Sequence, residues 1–399
     1  MIADGTAHTL STFPQAAAAM AVGGTALLLA FLSLTRPAAR LARRPLASAL
    51  IGGGWFALTA GFLLGPGGFG LLQRESLIEL RPLTQLGLAW IGLLVGLQMK
   101  RSLIAVIPPT LWKWSALDAA ISFLFATLIA GICLRWTAPH APLLTIWPVA
   151  SLLGAATIGW SGELRSLRGL DTRAARTAAI VQGGAGLGSA LAIVASDLIS
   201  FSPTGSRSLL ATLVIAAAVA YSLRAVLGSR SGDDGRLTLA LLATLSLIAG
   251  AAAAMESSPL PGAFIVGLVV ANLKGGAMRR MERLVAESEP AVAAIFFLLA
   301  GVLLGGVAGV WPWVLAGCLL LVRVTVKPLV AHWCANEFWI QPGAARLRPA
   351  VVRQAPIAIA LAVASVQQRD GLADRGALLA LVLTGLLSGL LPLLWRRDT

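Results

Sequence analysis

Thirteen apolar stretches run through this chain, at about residues 16–35, 46–66, 84–99, 111–135, 143–162, 176–199, 206–228, 237–255, 259–273, 290–309, 312–334, 347–368 and 376–395. Each is long enough to approach the thickness of a bilayer core as a helix, a constraint that leaves few alternatives. Sorting the basic residues by the gaps between stretches gives two sides. With the N-terminus outside, the inner gaps and span ends hold 22 of the 31 Lys and Arg, and the outer ones hold six. This is the positive-inside bias of a multi-pass membrane protein. The remaining three, Arg323, Lys327 and Arg353, fall inside apolar stretches. A charge at membrane depth is costly enough that function is sought there first.

Composition supports this reading. The chain is 57% hydrophobic and 12% charged, whereas soluble domains carry about 25% charged residues. A net charge of +14 in a soluble domain would suggest nucleic acid. Here it is distributed loop by loop on one side, so topology accounts for it and no nucleic-acid partner is expected. The first fifteen residues lack Lys and Arg, so the first stretch reads as a retained anchor rather than a cleaved leader. Cys133, Cys318 and Cys334 lie in or at the ends of apolar stretches and read as small packing residues rather than disulfide partners. His8, His140 and His332 show no ligand spacing, and neither a metal site nor a cofactor is indicated.

The gaps are short, so a single membrane domain is expected over 1–399 with no soluble regulatory domain. The stretches are continuous runs of Ala, Leu, Val and Gly without the alternation of barrel strands, which makes the expected class all-α. Two stretches depart from a plain lipid-facing helix. The fifth carries Gly154, Thr157 and Gly159, and the twelfth carries Pro356 just after Arg353. Proline removes a backbone donor and frees a carbonyl one turn earlier, which a bilayer tolerates only beside protein or a water-filled cavity. The two stretches sit seven apart and so run in opposite directions. Paired interrupted helices of that kind point to an inverted-repeat transporter with its site near the midplane.

At this point the sequence resembles the monovalent cation:proton antiporters, the sodium/proton and potassium/proton exchangers of bacteria. FALTAGFLLGPGGFGLL in the second span, LTQLGLAWIGLLVGLQMKRSL in the third, and SPLPGAFIVGLVVAN followed by AIFFLLAGVLLGG in the ninth and tenth are similar to family segments in the same order. The resemblance implies a polytopic fold of about 13 transmembrane helices, an inverted repeat with two crossing discontinuous helices, and a homodimer in a bacterial inner membrane. It implies transport of a monovalent cation against protons. It also implies an ion-binding Asp in the sixth span, where RAARTAAIVQGGAGLGSALAIVASD places Gly183, just after Gln182, or Gly186. The acid that the family carries in its third span corresponds to Gln98. The run Gly183, Gly184, Gly186 and Gly188 equally suits close packing against a crossing helix.

Arg323 lies eleven residues from either end of its stretch, about 16 Å at the rise of an α-helix. The resemblance identifies it with a central base beside the family's Asp. Asp118, seven residues into the fourth span, and Arg353, about as deep in the twelfth, are the remaining groups at depth. Asp118 is expected to neutralise Arg353 or Arg323, or else to sit in an inner vestibule near Lys113. Lys327 is near enough to the inner end to snorkel and is given no role. Asp197, Glu256, Asp370 and Asp374 are expected to be solvated. The ion pathway is thus expected from Thr157, Gln182, Gly183, Gly186, Arg323, Arg353 and Asp118, with Gly154, Gly159 and Pro356 at helix breaks. No enzymatic constellation is present in the sequence.

Three functions follow. The first is a secondary transporter whose sodium- or potassium-driven proton exchange is weak, because glycine replaces the core Asp. The second is a small-anion transporter using Arg323 and Arg353 with half-helix N-termini. The third is a membrane-embedded scaffold or sensor subunit. Under all three the lipid bilayer is the surrounding partner. The charge bias makes a direct prediction of topology: reporter fusions after Arg283 and after Thr399 both read cytoplasmic, and an external signal at either site overturns the span count.

Overall fold

The computed structural model describes residues 54–72, 80–99, 101, 105, 109–137, 142–158, 188–193, 213–223, 234–255, 257–273, 276–305, 309–337, 354, 357–369 and 372–395. Helix dominates these residues and none lies in a β-strand. The helices of ten residues or more are α1 Trp55–Leu64, α2 Arg81–Gln98, α3 Pro109–Thr137 and α4 Leu143–Ile158, then α5 Leu213–Leu223. They continue with α6 Asp234–Ala254, α7 Pro259–Ala271, α8 Gly276–Leu303, α9 Trp311–Glu337, α10 Ile357–Arg369 and α11 Leu372–Trp395. Segments of α3, α6, α8 and α9 are each long and apolar enough to cross a bilayer alone. The result is an all-α, multi-pass membrane protein.

Local signals set several of the boundaries. Ser258 caps α7 by accepting a hydrogen bond from the Leu260 amide at 3.4 Å, and Pro259 follows at the first helical position, where its missing N–H costs nothing. Asn272 ends the same helix. Its Nδ2 donates to Leu268 O at 2.7 Å while its Oδ1 accepts from the Arg101 amide at 2.7 Å, tying the end of α7 to the chain just beyond α2. One expectation fails: the gap between the ninth and tenth stretches is helix, because α8 begins at Gly276. Met281 and Val285 supply the reason, since both are buried one turn apart and give this charged segment an apolar face.

The helices pack as two groups. In one, α2 lies on α7, α6 rests on both, and α8 packs on α1 and α2; in the other, α3 packs on α4 and α9, and α11 on α9, α10 and α4. Contacts of α10 with α8 and α2 join the groups. Each group draws consecutive helices from both halves of the chain, the interleaving that two copies of one unit produce. Glycines allow the closest approaches. A Cβ on Gly92 would strike Leu260 O, and one on Gly61 would strike Leu298 O, so backbone rests on backbone as small-residue interfaces in bilayers do.

The expected break at Gly154 is absent. α4 runs unbroken through Gly154 and Thr157 to Ile158, and the absent side chain of Gly154 serves packing, since a Cβ there would overlap Thr127 Oγ1. Gly159 and Pro356, the other two residues expected at breaks, lie outside the described residues.

Candidate functional site: buried charges at the end of α4

Two cations converge on the last turn of α4. Arg323 and Lys327 are four apart on α9, so the helical period sets them on one face. Both are sealed, at 0% and 1% exposure. Arg323 Nη1 donates to Thr157 O at 2.8 Å, and Lys327 Nζ donates to Ile158 O at 3.0 Å. The final four carbonyls of any helix lack partners within it, and they form the negative end of its dipole. Two cations at that end supply the missing donors and the matching charge.

The carboxylate of the site comes from α3. Asp118 Oδ2 accepts from Lys327 Nζ at 2.9 Å, and Asp118 Oδ1 accepts from Ser122 Oγ at 3.3 Å. Ser122 is one turn along the same helix, so Asp118 arrives with its own positioning hydroxyl. Asp118 retains 16% exposure where Lys327 retains 1%. The pair is therefore asymmetric, its anion reachable and its cation enclosed. Thr157 adds a local bond, Oγ1 to Gly154 O at 2.7 Å, which leaves Thr157 O itself for Arg323.

This geometry corrects two expectations. Lys327 does not snorkel; it is one of the largest fully buried side chains among the described residues and pairs with Asp118. Asp118 forms its ion pair with Lys327, and its charge also acts on the neighbouring Arg323. Of the other residues expected in the pathway, Thr157 is at the site, whereas Gln182, Gly183, Gly186 and Arg353 lie outside the described residues. The signal that could have identified Lys327 was its four-residue spacing from Arg323. A residue that shares a face with a mid-membrane arginine shares its surroundings.

One more expectation changes. Asp374 is buried at 7% exposure and accepts from Ser365 Oγ at 3.0 Å, so it joins α10 to α11 instead of facing solvent. Cys133 and Cys318 are half-buried and not joined in a disulfide, and Cys133 packs against the apolar core, as expected of packing residues. Elsewhere in the bundle, Thr127 Oγ1 and both side-chain amide atoms of Gln354 are buried without a protein hydrogen-bond partner. Among the described residues no cluster of His, Cys, Asp or Glu could hold a metal ion.

At the level of sequence, no family model and no curated protein matches this chain. Comparison of structures does find relatives. The chain is similar to the sodium proton antiporter MjNhaP1 from Methanocaldococcus jannaschii at pH 8, with a TM-score of 0.66 and 16% identity over 95% of this chain and 97% of that one. A structure of the same antiporter from an electron-microscopy map gives a TM-score of 0.63 and 18% identity over 95% and 96% of the two chains. The bundle that holds Asp118, Arg323 and Lys327 thus has the fold of a monovalent cation:proton antiporter.

Proposed function

We propose that this chain is a secondary transporter of small monovalent ions, residing in a bacterial inner membrane with its basic loops inside, and that Asp118 is the carboxylate that couples a cation to a proton. The observation that carries the proposal is the Asp118/Lys327 pair at the end of α4, inside a fold shared with an antiporter over nearly the whole chain. An exchanger needs a group that holds either a proton or a cation and never both. Gly183 and Gly186 cannot serve, while Asp118 has the chemistry and the exposure to do so. Its occupation by the Lys327 ammonium explains why exchange is expected to be slow, because an incoming cation must displace a partner at 2.9 Å.

The test is flux. In proteoliposomes, sodium, lithium or potassium gradients drive measurable proton movement that is weaker than for an antiporter with a core Asp, and Asp118→Asn reduces it to the level of empty vesicles. Unchanged exchange in Asp118→Asn overturns the assignment.

A second reading is favoured by one observation. Asp118, Arg323 and Lys327 together carry a charge of +1, which suits a small anion. The same vesicles loaded with chloride, nitrate or formate distinguish the two, since anion movement without cation-driven proton movement selects the second reading. No movement of any ion leaves a scaffold or sensor subunit as the function.

A further inference from the structure

Lys327 Nζ lies against two oxygens, Asp118 Oδ2 at 2.9 Å and the Ile158 carbonyl at 3.0 Å. One oxygen belongs to α3 and the other to the last residue of α4, so two helices build a seat that a side chain from α9 fills. The preceding carbonyl, Thr157 O, is taken by Arg323, which leaves Ile158 O for the seat. Apart from its tether, a lysine ammonium is a monovalent cation. Its position shows what charge and size these oxygens accept.

The size is set by the helices. Gly154 stands one turn before Ile158, and a Cβ on it would overlap Thr127 Oγ1 and lie 2.9 Å from the Phe123 carbonyl. α3 and α4 therefore already touch within a turn or two of the seat and cannot draw closer. Asp118 is held as well, since its other oxygen accepts from Ser122 Oγ at 3.3 Å and Ser122 is fully buried. The two oxygens thus keep the separation that suits an N–H···O contact. Potassium, rubidium and free ammonium are close to a lysine ammonium in size and meet both oxygens at once. Sodium and lithium are smaller and give up more hydration on entry, and a seat that cannot contract compensates them poorly. Proteins select among ions by cavity size and rigidity in this way.

We propose that Asp118 Oδ2 and Ile158 O form a seat for a potassium-sized monovalent cation, with the Lys327 ammonium as its resident substitute. As the identity of the transported ion, this rests on the proposed function. The ion enters from the side of Asp118, which keeps 16% exposure, takes the two oxygens as Lys327 withdraws, and completes its coordination with water.

The test uses the purified full chain in detergent. Methionine is one atom shorter than lysine, so Lys327→Met vacates the Nζ position and leaves both oxygens in place. Its melting temperature, measured in chloride salts of equal ionic strength against choline chloride, is expected to rise with potassium, rubidium and ammonium and less with sodium and lithium, because a ligand of the folded state stabilises it. Asp118→Leu added to Lys327→Met removes the gain. An equal or larger gain from sodium or lithium overturns the size assignment. A gain that survives Asp118→Leu, or none from any ion, overturns the seat. In proteoliposomes the wild type is expected to reach half-maximal proton movement at a potassium or rubidium concentration roughly tenfold below that for sodium, the low end of what a fitted pocket gives between ligands of slightly different size. Parity or reversed order overturns the assignment, and where Lys327→Met fails to fold, absence of movement overturns it too. A potassium-selective gain in Lys327→Met beside a wild type that moves no cation supports the seat and overturns the transport reading instead.

Discussion

Asp118→Leu is expected to destabilise the folded protein more than Lys327→Met, and the two together are expected to recover most of the loss. Removing one member of a buried ion pair costs about 3 to 5 kcal/mol, because the other is left charged and uncompensated. The asymmetry of exposure decides the order. Without Asp118, Lys327 keeps only the Ile158 carbonyl in a fully enclosed position, which places Asp118→Leu at the upper end of that range. Without Lys327, Asp118 still has Ser122 and partial access to water, which places Lys327→Met at the lower end. With both replaced by apolar residues neither member of the pair is left without the other, Arg323 keeps the Thr157 carbonyl, and such exchanges are often neutral or stabilising. Denaturant unfolding in detergent, read through tryptophan fluorescence, measures all four corners of this cycle. Additive losses in the double variant would show that the two residues do not act as a pair. Transport separates from stability here, since the double variant is expected to fold and to move no cation against protons.

The second large effect concerns packing. Gly267→Leu is expected to abolish the α2/α7 contact, where backbone meets backbone. A Cβ at Gly267 would overlap Leu93 O, with Gly96 Cα at 2.9 Å, and one at Gly96 would overlap Phe264 O. These obstacles are backbone, so no rotamer change relieves them. Overpacking of well-filled sites typically costs about 1 to 3 kcal/mol, and more where the backbone must move. Helices in a bilayer gain no hydrophobic advantage from association, so lost van der Waals contact is not offset elsewhere. Gly250→Leu on α6 is the control, because nothing lies within 4 Å of its added Cβ. Size-exclusion profiles of the two variants in detergent check the contrast: aggregation or loss of the Gly267→Leu protein beside a monodisperse Gly250→Leu. Equal, well-behaved profiles would mean that α2 and α7 can separate without consequence.

The charged residues show how far the sequence reaches. Arg323 was legible as a buried functional candidate because depth along a helix is a count of residues, and eleven from either end is too far to snorkel. Lys327 was misread by the same count, since depth says nothing of direction. Its ammonium stays inside because α9 turns Lys327 and Arg323 together toward α4 and Asp118. Asp374 was misread for a related reason. Its place beside a turn suggests solvent, but the hairpin of α10 and α11 folds it under Ser365. At α8 the charged composition of 276–289 suppressed the helical signal, and the buried face of Met281 and Val285 that stabilises it becomes visible only once a neighbour covers it.

By itself the sequence determined that this chain lives in a membrane, that its basic residues gather in alternate gaps between apolar stretches, the all-α class and the glycine- and proline-marked segments of an antiporter-like order. These are sums over consecutive residues: apolarity per span, charge per gap, order of motifs. The tertiary structure alone decided that Asp118 pairs with Lys327, that Arg323 caps α4 through Thr157, and that Gly154 packs on Thr127 without breaking its helix. Each of those facts depends on the rotation of two or three helices about their own axes. That rotation is fixed by backbone contact at glycines and by the cost of leaving a buried charge or carbonyl unmatched.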